Sequence, residues 1–184
     1  SRVFGHKDIR SEGSGNSGTT NMLRVMGKKY ALLTFAGDLL KGIVAVLIGK
    51  AWLGTQAGEI VGAFGAILGH NFPLYFGFKG GKAVAVTAGI GLYMDWRLFL
   101  ICIGIYLLAF LIKKTASIAS LSGVTFMPIT MLILGRFSVS QYVVAIAAVA
   151  FVWIMHWPNL VRLAHHEEKA FAVKKAENAA KTEK

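Results

Sequence analysis

A bundle of membrane-spanning helices is the fold this chain predicts, and three observations predict it. Of its 184 residues 55% are hydrophobic and 16% charged, where an ordinary soluble domain carries about 25% charge. The hydrophobic residues gather in six long blocks after a polar start. The excess of positive charge, 20 Lys and Arg against 9 Asp and Glu, falls mostly between alternate blocks. A soluble protein this basic would suggest nucleic acid. Here the charge reads instead as a topology signal and as attraction to anionic headgroups or an anionic substrate, so a lipid bilayer is the expected partner and nucleic acid is not.

The blocks cover roughly 30–49, 57–78, 82–94, 98–112, 116–134 and 139–157, and a helix needs about 20 residues to cross the hydrocarbon core. The first, fifth and sixth satisfy that comfortably. The third, KAVAVTAGIGLYM, would be about 20 Å long as a helix. It reads either as a short tilted span or as half of a helical hairpin broken at Asp95-Trp96-Arg97. With residues 1–29 cytoplasmic and one crossing per block, sixteen Lys and Arg lie on the cytoplasmic side. Only Lys50, Arg97 and Arg136 lie on the other, and Lys41 is inside a block. That asymmetry satisfies the positive-inside rule. Trp52, Trp96 and Trp157 fall near block ends, where an interfacial aromatic belt belongs. The glycines of GEIVGAFGAILG and TAGIGLYM read mainly as close-packing positions between helices.

The predicted organisation is one membrane-embedded domain over 1–165, with polar loops at 8–29, 69–83 and 156–168, followed by a charged tail over 166–184. Cys102, the single cysteine, lies in the apolar run LFLICIGIYLL, so no disulfide forms within the chain, and no Cys/His spacing suggests a metal.

The topology puts four polar segments on one face, and three of them are rich in anion-binding groups. The first is GSGNSGTTNMLR. Gly13 to Gly18 spells G-x-G-x-x-G, but no strand precedes it and no βαβ unit follows, so the dinucleotide reading fails. What remains is a glycine-rich turn with Ser14, Asn16, Thr19, Thr20 and Asn21 as donors and Arg24 after it. Such turns aim successive N–H groups at one anion, and arginine grips phosphate oxygens in pairs. A plain helix cap at Thr20 or Asn21 is the other reading. The second segment holds His70 and Lys79-Gly80-Gly81-Lys82. It lacks the earlier glycine of a P-loop, and Ala83 stands where Ser or Thr would hold magnesium. That leaves a phosphate cradle of two glycines between two lysines; the other reading is lysines that simply flank spans on the cytoplasmic side and a structural His70. The third segment places His156, Asn159 and Arg162 three apart, on one face if the helix continues past Pro158. A His, an Asn and an Arg there suit orienting an acyl acceptor and stabilising negative charge. The fourth, KKTAS, reads as a plain charged turn.

These three motifs, in this order, resemble those of the bacterial acyl-phosphate:glycerol-3-phosphate acyltransferases, the PlsY type. Ser14-Gly15-Asn16-Ser17-Gly18-Thr19-Thr20-Asn21 with Arg24 matches the first motif. Gly69-His70-Asn71-Phe72-Pro73 and Phe78-Lys79-Gly80-Gly81-Lys82 match the second, and His156, Asn159, Arg162 and Leu163 the third. The resemblance implies a helical membrane enzyme of the bacterial plasma membrane, with motif loops and C-terminus cytoplasmic. It would transfer an acyl group from acyl phosphate to the 1-hydroxyl of glycerol 3-phosphate, giving lysophosphatidic acid for phospholipid synthesis. No cofactor or metal is implied, and an enzyme that makes acyl phosphate is an expected partner. The implied catalytic residues are Ser14, Arg24, His156 and Asn159. Substrate binding would fall to Asn16, Gly18, Thr20, Asn21, His70, Lys79, Gly80, Gly81 and Lys82. A structural Glu falls on Glu168, with Glu167 as rival. The family's seven spans include a first one with a Gly-Ser-x-Pro signature that has no counterpart here, so a chain lacking its N-terminal span is expected. Ala83 replaces a frequent Gly, Trp157 a common basic residue, and His166 the Gly two before the structural Glu.

No Ser-His-Asp set is evident, so direct attack by the glycerol hydroxyl is expected, its proton passing to His156 or to a substrate phosphate oxygen. The His-x₄-Asp motif of acyl-CoA-dependent enzymes is absent after all five histidines. The alternative from another class is a small membrane transporter for phosphate or another anion, which would carry its site nearer mid-membrane.

Overall fold

A computed structural model describes residues 8–168. The expected tail from 169 onward, and the basic residues and His6 within the first seven, lie outside the described residues. All regular structure among the described residues is helical. Eight α-helices follow a short 3₁₀ turn at Ile9–Ser11: α1 (Thr19–Met26), α2 (Lys28–Leu53), α3 (Gln56–Asn71), α4 (Val84–Met94), α5 (Trp96–Lys113), α6 (Ala116–Leu134), α7 (Val139–Met155) and α8 (Trp157–Ala164). A second 3₁₀ turn, Leu74–Phe76, lies between α3 and α4.

Helices α2 to α7 occupy the six apolar blocks in order. Among the described residues, α2, α5 and α6 are each long and apolar enough to cross a membrane, and α7 with α8 would add a fourth as one span bent by 56°. The second block stops earlier than its hydropathy suggested. Pro73 disfavours a helical residue before it, so α3 ends at Asn71 and Phe72 caps it in a non-helical conformation. The third block is a separate short helix of 11 residues. It stops at Asp95, whose carboxylate accepts from the Arg97 amide at 2.7 Å and so caps α5. Ser138 and Gln141 form a capping box that starts α7.

Small residues set how closely these helices approach. In the antiparallel α2–α3 pair, Gly49 faces Gly58 and Gly62 faces Ala45; in the α2–α4 crossing, Gly42 faces Val86 and Gly89 faces Leu39. At each of these glycines an added Cβ would collide with backbone of the opposite helix. That bears out the packing reading for Gly58, Gly62 and Gly89. Gly65 and Gly69 have no neighbour within 4 Å at that position.

The α2–α3 register places His70 level with Asp38, so α2 runs ten residues, about 15 Å, beyond the end of α3. The projecting stretch supports α1, and Ile9, Met22 and Ala31 close a small core beneath the first loop. The remaining motif segments gather at the same end of the bundle, lining one cavity with that loop. At the opposite end polar contacts join the helices. Lys50 pairs with Glu59 at 2.9 Å, the Tyr93 hydroxyl donates to Glu59 at 3.0 Å, Ser140 donates to Gln56 at 3.0 Å, and Arg136 lies 3.7 Å from Asp95. Trp52, Trp96 and Trp157 sit at helix ends with their side chains exposed.

Candidate active site at the motif end of the bundle

The first loop is organised by Asn21. Its buried side chain donates to the Ile9 carbonyl at 2.8 Å and the Glu12 carbonyl at 3.0 Å, and accepts from the Ser14 amide at 2.8 Å. Gly13 and Gly15 take φ of +62° and +72°, the left-handed region open to glycine, and a Cβ on Gly13 would strike Asn21. Asn16 accepts from the Gly18 amide at 2.8 Å. Asn21 and Asn16 therefore spend polar groups on holding the loop, while Ser14 stays exposed and Ser14, Thr20 and Arg24 line the cavity.

The second motif departs from the expected cradle. The Gly80 amide donates to the Asn71 carbonyl at 3.2 Å and the Gly81 amide to the His70 carbonyl at 3.1 Å. Their N–H groups are thus occupied by the frayed end of α3 and are not free for a phosphate. These residues are glycine because of crowding: a Cβ on Gly80 would meet the His70 carbonyl and Pro73, and one on Gly81 the His70 ring. Lys79 is exposed and off the cavity wall, whereas Lys82 lines it. Burial, partly offset by the charge of Glu168, pushes Lys82 down to about 8.

The third motif forms the far wall. His156 is 3% exposed at the bend where α7 ends, and its Nδ1 lies 2.8 Å from the Val152 carbonyl. A carbonyl can only accept, so Nδ1 carries the ring proton and Nε2 offers a lone pair. Burial, reinforced by the nearby charge of Lys82, pushes His156 down to about 4, so the ring is neutral at physiological pH. Pro158 enters α8 in its first turn, where its missing N–H costs little, so the helix resumes after the bend.

Glu168 ties the walls together. One carboxylate oxygen accepts from Asn159 Nδ2 at 2.6 Å and Ser117 Oγ at 2.9 Å; the other accepts from Arg162 Nε at 2.7 Å. Burial would raise its pKa, but these three donors outweigh it and hold the carboxyl below its usual range. Lys82 in turn donates to the Asn159 side-chain oxygen. A continuous polar chain thus runs Lys82–Asn159–Glu168–Arg162, with Ser117 as a branch. Glu168 is the inward carboxylate; Glu167 is exposed.

Two participants were not assigned from the sequence. KKTAS is more than a charged turn, since Ser117 grips Glu168 and lines the cavity. Asp38 also lines it, and the usable signal was an acidic residue within a spanning block, which is costly there and therefore functional by default.

The cavity is partly open to its surroundings and measures about 990 Å³. Its polar end holds Ser14, Arg24, His70, Lys82, His156, Asn159 and Arg162. An apolar arm descends between Ala88 and Gly91 of α4, Phe99, Cys102, Ile103 and Tyr106 of α5, and Gly123, Val124 and Met127 of α6. It reaches Leu98, which is fully buried. By helical rise the distance from Ala83 to Gly91 is about 12 Å.

Fold and site together define a class: an integral membrane helical bundle whose cavity joins a cationic head to an apolar arm. Within that class, the family model for glycerol-3-phosphate acyltransferase matches residues 1–166. A glycerol-3-phosphate acyltransferase of Pseudomonas putida is 43% identical over 173 residues, covering 93% of this chain and 89% of that protein. One from Streptococcus thermophilus is 38% identical over 176 residues, covering 91% and 82%. The crystal structure of PlsY, an integral membrane glycerol 3-phosphate acyltransferase, in its glycerol 3-phosphate form superposes with a TM-score of 0.86 at 33% identity, covering 93% of this chain and 85% of that one. Its lysophosphatidic acid form gives 0.81 at the same identity, covering 88% and 82%. The chain belongs to the glycerol-3-phosphate acyltransferase family.

Proposed function

We propose that this protein transfers a fatty acyl group from acyl phosphate to the 1-hydroxyl of glycerol 3-phosphate. The observation that carries the reading is a single cavity with Arg24 and Lys82 at its head and an apolar arm beneath. Such a space suits two phosphate-bearing substrates side by side, one with a hydrocarbon chain. The glycerol hydroxyl oxygen attacks the acyl carbonyl carbon, and the carbon–oxygen bond to phosphate breaks. Lysophosphatidic acid and inorganic phosphate leave.

Acyl phosphate is already activated, so the site mainly supplies proximity and charge stabilisation. Arg24 and Lys82 offset the negative charge that gathers on carbonyl and phosphate oxygens. The His156 Nε2 lone pair accepts from the attacking hydroxyl and orients it. As a ring held near pKa 4, it is a weaker base than a phosphate dianion, which favours the substrate phosphate as final proton acceptor. Asn159 holds Lys82, Glu168 holds Asn159, and Ser14 faces the acceptor from the first loop. Residues 1–165 act as one catalytic domain in the bacterial plasma membrane, motif end toward the cytoplasm, supplied by an enzyme that makes acyl phosphate. The anion-transporter alternative is disfavoured by a cavity whose charged groups lie at one end and whose arm stops on apolar side chains.

The test is acyl transfer by purified protein in lipid with labelled glycerol 3-phosphate, with palmitoyl phosphate, palmitoyl-CoA or no donor. Lysophosphatidic acid from palmitoyl phosphate alone is expected. Product from palmitoyl-CoA, or none from either donor, overturns the reading.

A further inference from the structure

Asp38 and Lys41 sit within a spanning helix, yet no step above uses them. They lie one turn apart on α2, with Lys41 Nζ 2.6 Å from the Asp38 carboxylate. His70, from the last turn of α3, meets both: its Nδ1 contacts Lys41 Nζ and lies 3.5 Å from Asp38. The His70 side chain is 8% exposed and that of Asp38 14%. The other edge of the ring, at Nε2, packs directly beneath Gly81, whose amide is bound to the His70 carbonyl. Asp38, His70, Gly80 and Lys82 share the cavity wall.

Of the two groups that face Nδ1, Lys41 makes the hydrogen-bond contact and Asp38 lies farther off. An ammonium group donates and cannot accept, so that contact assigns the lone pair to Nδ1. The ring proton then resides on Nε2, the edge turned toward the 79–82 loop. Asp38 anchors Lys41 for this task, in the way that an outer carboxylate fixes the tautomer of a histidine it does not replace. His156 is held the opposite way, with its proton on Nδ1.

We propose that Asp38 and Lys41 are positioning residues for a phosphate subsite: through the His70 ring, whose Nε2 edge packs against Gly81, they hold the 79–82 loop so that Lys82 meets a phosphate group. The ligand chemistry is a phosphate monoester, carried by either glycerol 3-phosphate or the acyl phosphate. The kinetic part of the test rests on the acyl-transfer reading; the spectroscopic part does not.

The first measurement is ¹⁵N NMR of histidine-labelled full-length protein in detergent, with His70→Asn assigning the signal. The His70 proton is expected on Nε2, and Lys41→Met should move it wholly or partly to Nδ1. The second is steady-state kinetics with each substrate varied in turn. Asp38→Asn and Lys41→Met should each raise KM for one phosphate-bearing substrate about ten-fold, the scale of one lost charge-assisted hydrogen bond, while kcat stays within about three-fold. The substrate affected identifies the phosphate. In a His70→Ala background, adding Asp38→Asn should change nothing further, because the two act as one unit. A wild-type His70 proton on Nδ1, additive effects with His70→Ala, or a joint fall of kcat and thermal midpoint overturns the proposal. If the wild type transfers no acyl group, the reaction assignment fails and the tautomer result alone decides the role of Asp38 and Lys41.

Discussion

Ala83 and His166 hold backbone in the left-handed region, at φ of +58° and +56°. These are the two positions where the resemblance led one to expect glycine. A non-glycine residue there costs about 1–2 kcal/mol, least for residues such as histidine that tolerate the conformation. At Ala83 the methyl is 1% exposed and packs with Val46 and Val86, which offsets the strain. At His166 the turn bends the chain back so that the amides of Glu167 and Glu168 reach the Arg162 carbonyl, bringing the Glu168 carboxylate onto Asn159. The turn, more than residue spacing, is what selects Glu168 over Glu167.

Lys82 gives the residue-scale prediction. On the acyl-transfer reading its charge serves phosphate binding, and with a pKa of about 8 against an ordinary 10.5 that charge is lost as pH rises through 8. The profile of kcat/KM, which reports the free enzyme, should fall on the alkaline side with a midpoint near that value. Lys82→Arg should carry that limb to higher pH, because a guanidinium stays protonated. Persistence of the limb in Lys82→Arg would assign it to another group. The stability effect has the opposite sign. Between pH 8 and 10.5 the unfolded chain binds more protons at this site than the folded one, so stability rises with pH across that window.

At the scale of elements, the α2–α3 seam is a backbone contact between glycines, which predicts unequal tolerance to one methyl group. A Cβ on Gly62 would fall 2.8 Å from Val46 Cα, whereas Gly65 has nothing within 4 Å. Gly62→Ala should lower the thermal midpoint in detergent, with a cost of about 1–3 kcal/mol from forcing helices apart. Gly65→Ala, one helical turn on, should leave it unchanged or slightly raised. Equal midpoints for the two variants would mean that the seam is looser than the geometry requires. The apolar arm supports a parallel argument about α4 and α6. A Cβ on Gly91 would sit 3.5 Å from the Met127 terminal methyl, an ordinary contact, and Gly91 lines the cavity into which a longer side chain would extend. Gly91→Leu should fill the foot of the arm and favour decanoyl over palmitoyl phosphate about ten-fold or more in kcat/KM, the discrimination a hydrophobic pocket achieves by size. An unchanged donor profile would place the acyl chain elsewhere.

Across the whole molecule, the sequence was most informative where composition decides. Six helices follow six hydrophobic blocks, and three motif segments converge on one cavity as the alternating charge suggested. It was least informative where a group's partner comes from a distant helix. Gly80 and Gly81 read as phosphate-facing amides until α3 supplied carbonyls for them. Ser117 looked like part of a turn until the chain brought back Glu168, 51 positions later. Asp38 could be marked as unusual, but its histidine partner is defined by how far α2 overshoots α3, a property of packing and not of either segment alone.

That overshoot has a consequence for traffic. The recess beneath it gathers Arg24, Lys82 and Arg162 at one rim, and the arm leads from that rim toward the core of the bundle. On the acyl-transfer reading, donor and product both lie head at the rim and tail in the arm, and only the head is exchanged during the reaction. A newly made lysophospholipid would therefore already have the orientation of a lipid in the leaflet on the motif side. It could slide out sideways without turning over, and crossing to the far leaflet would be left to other machinery.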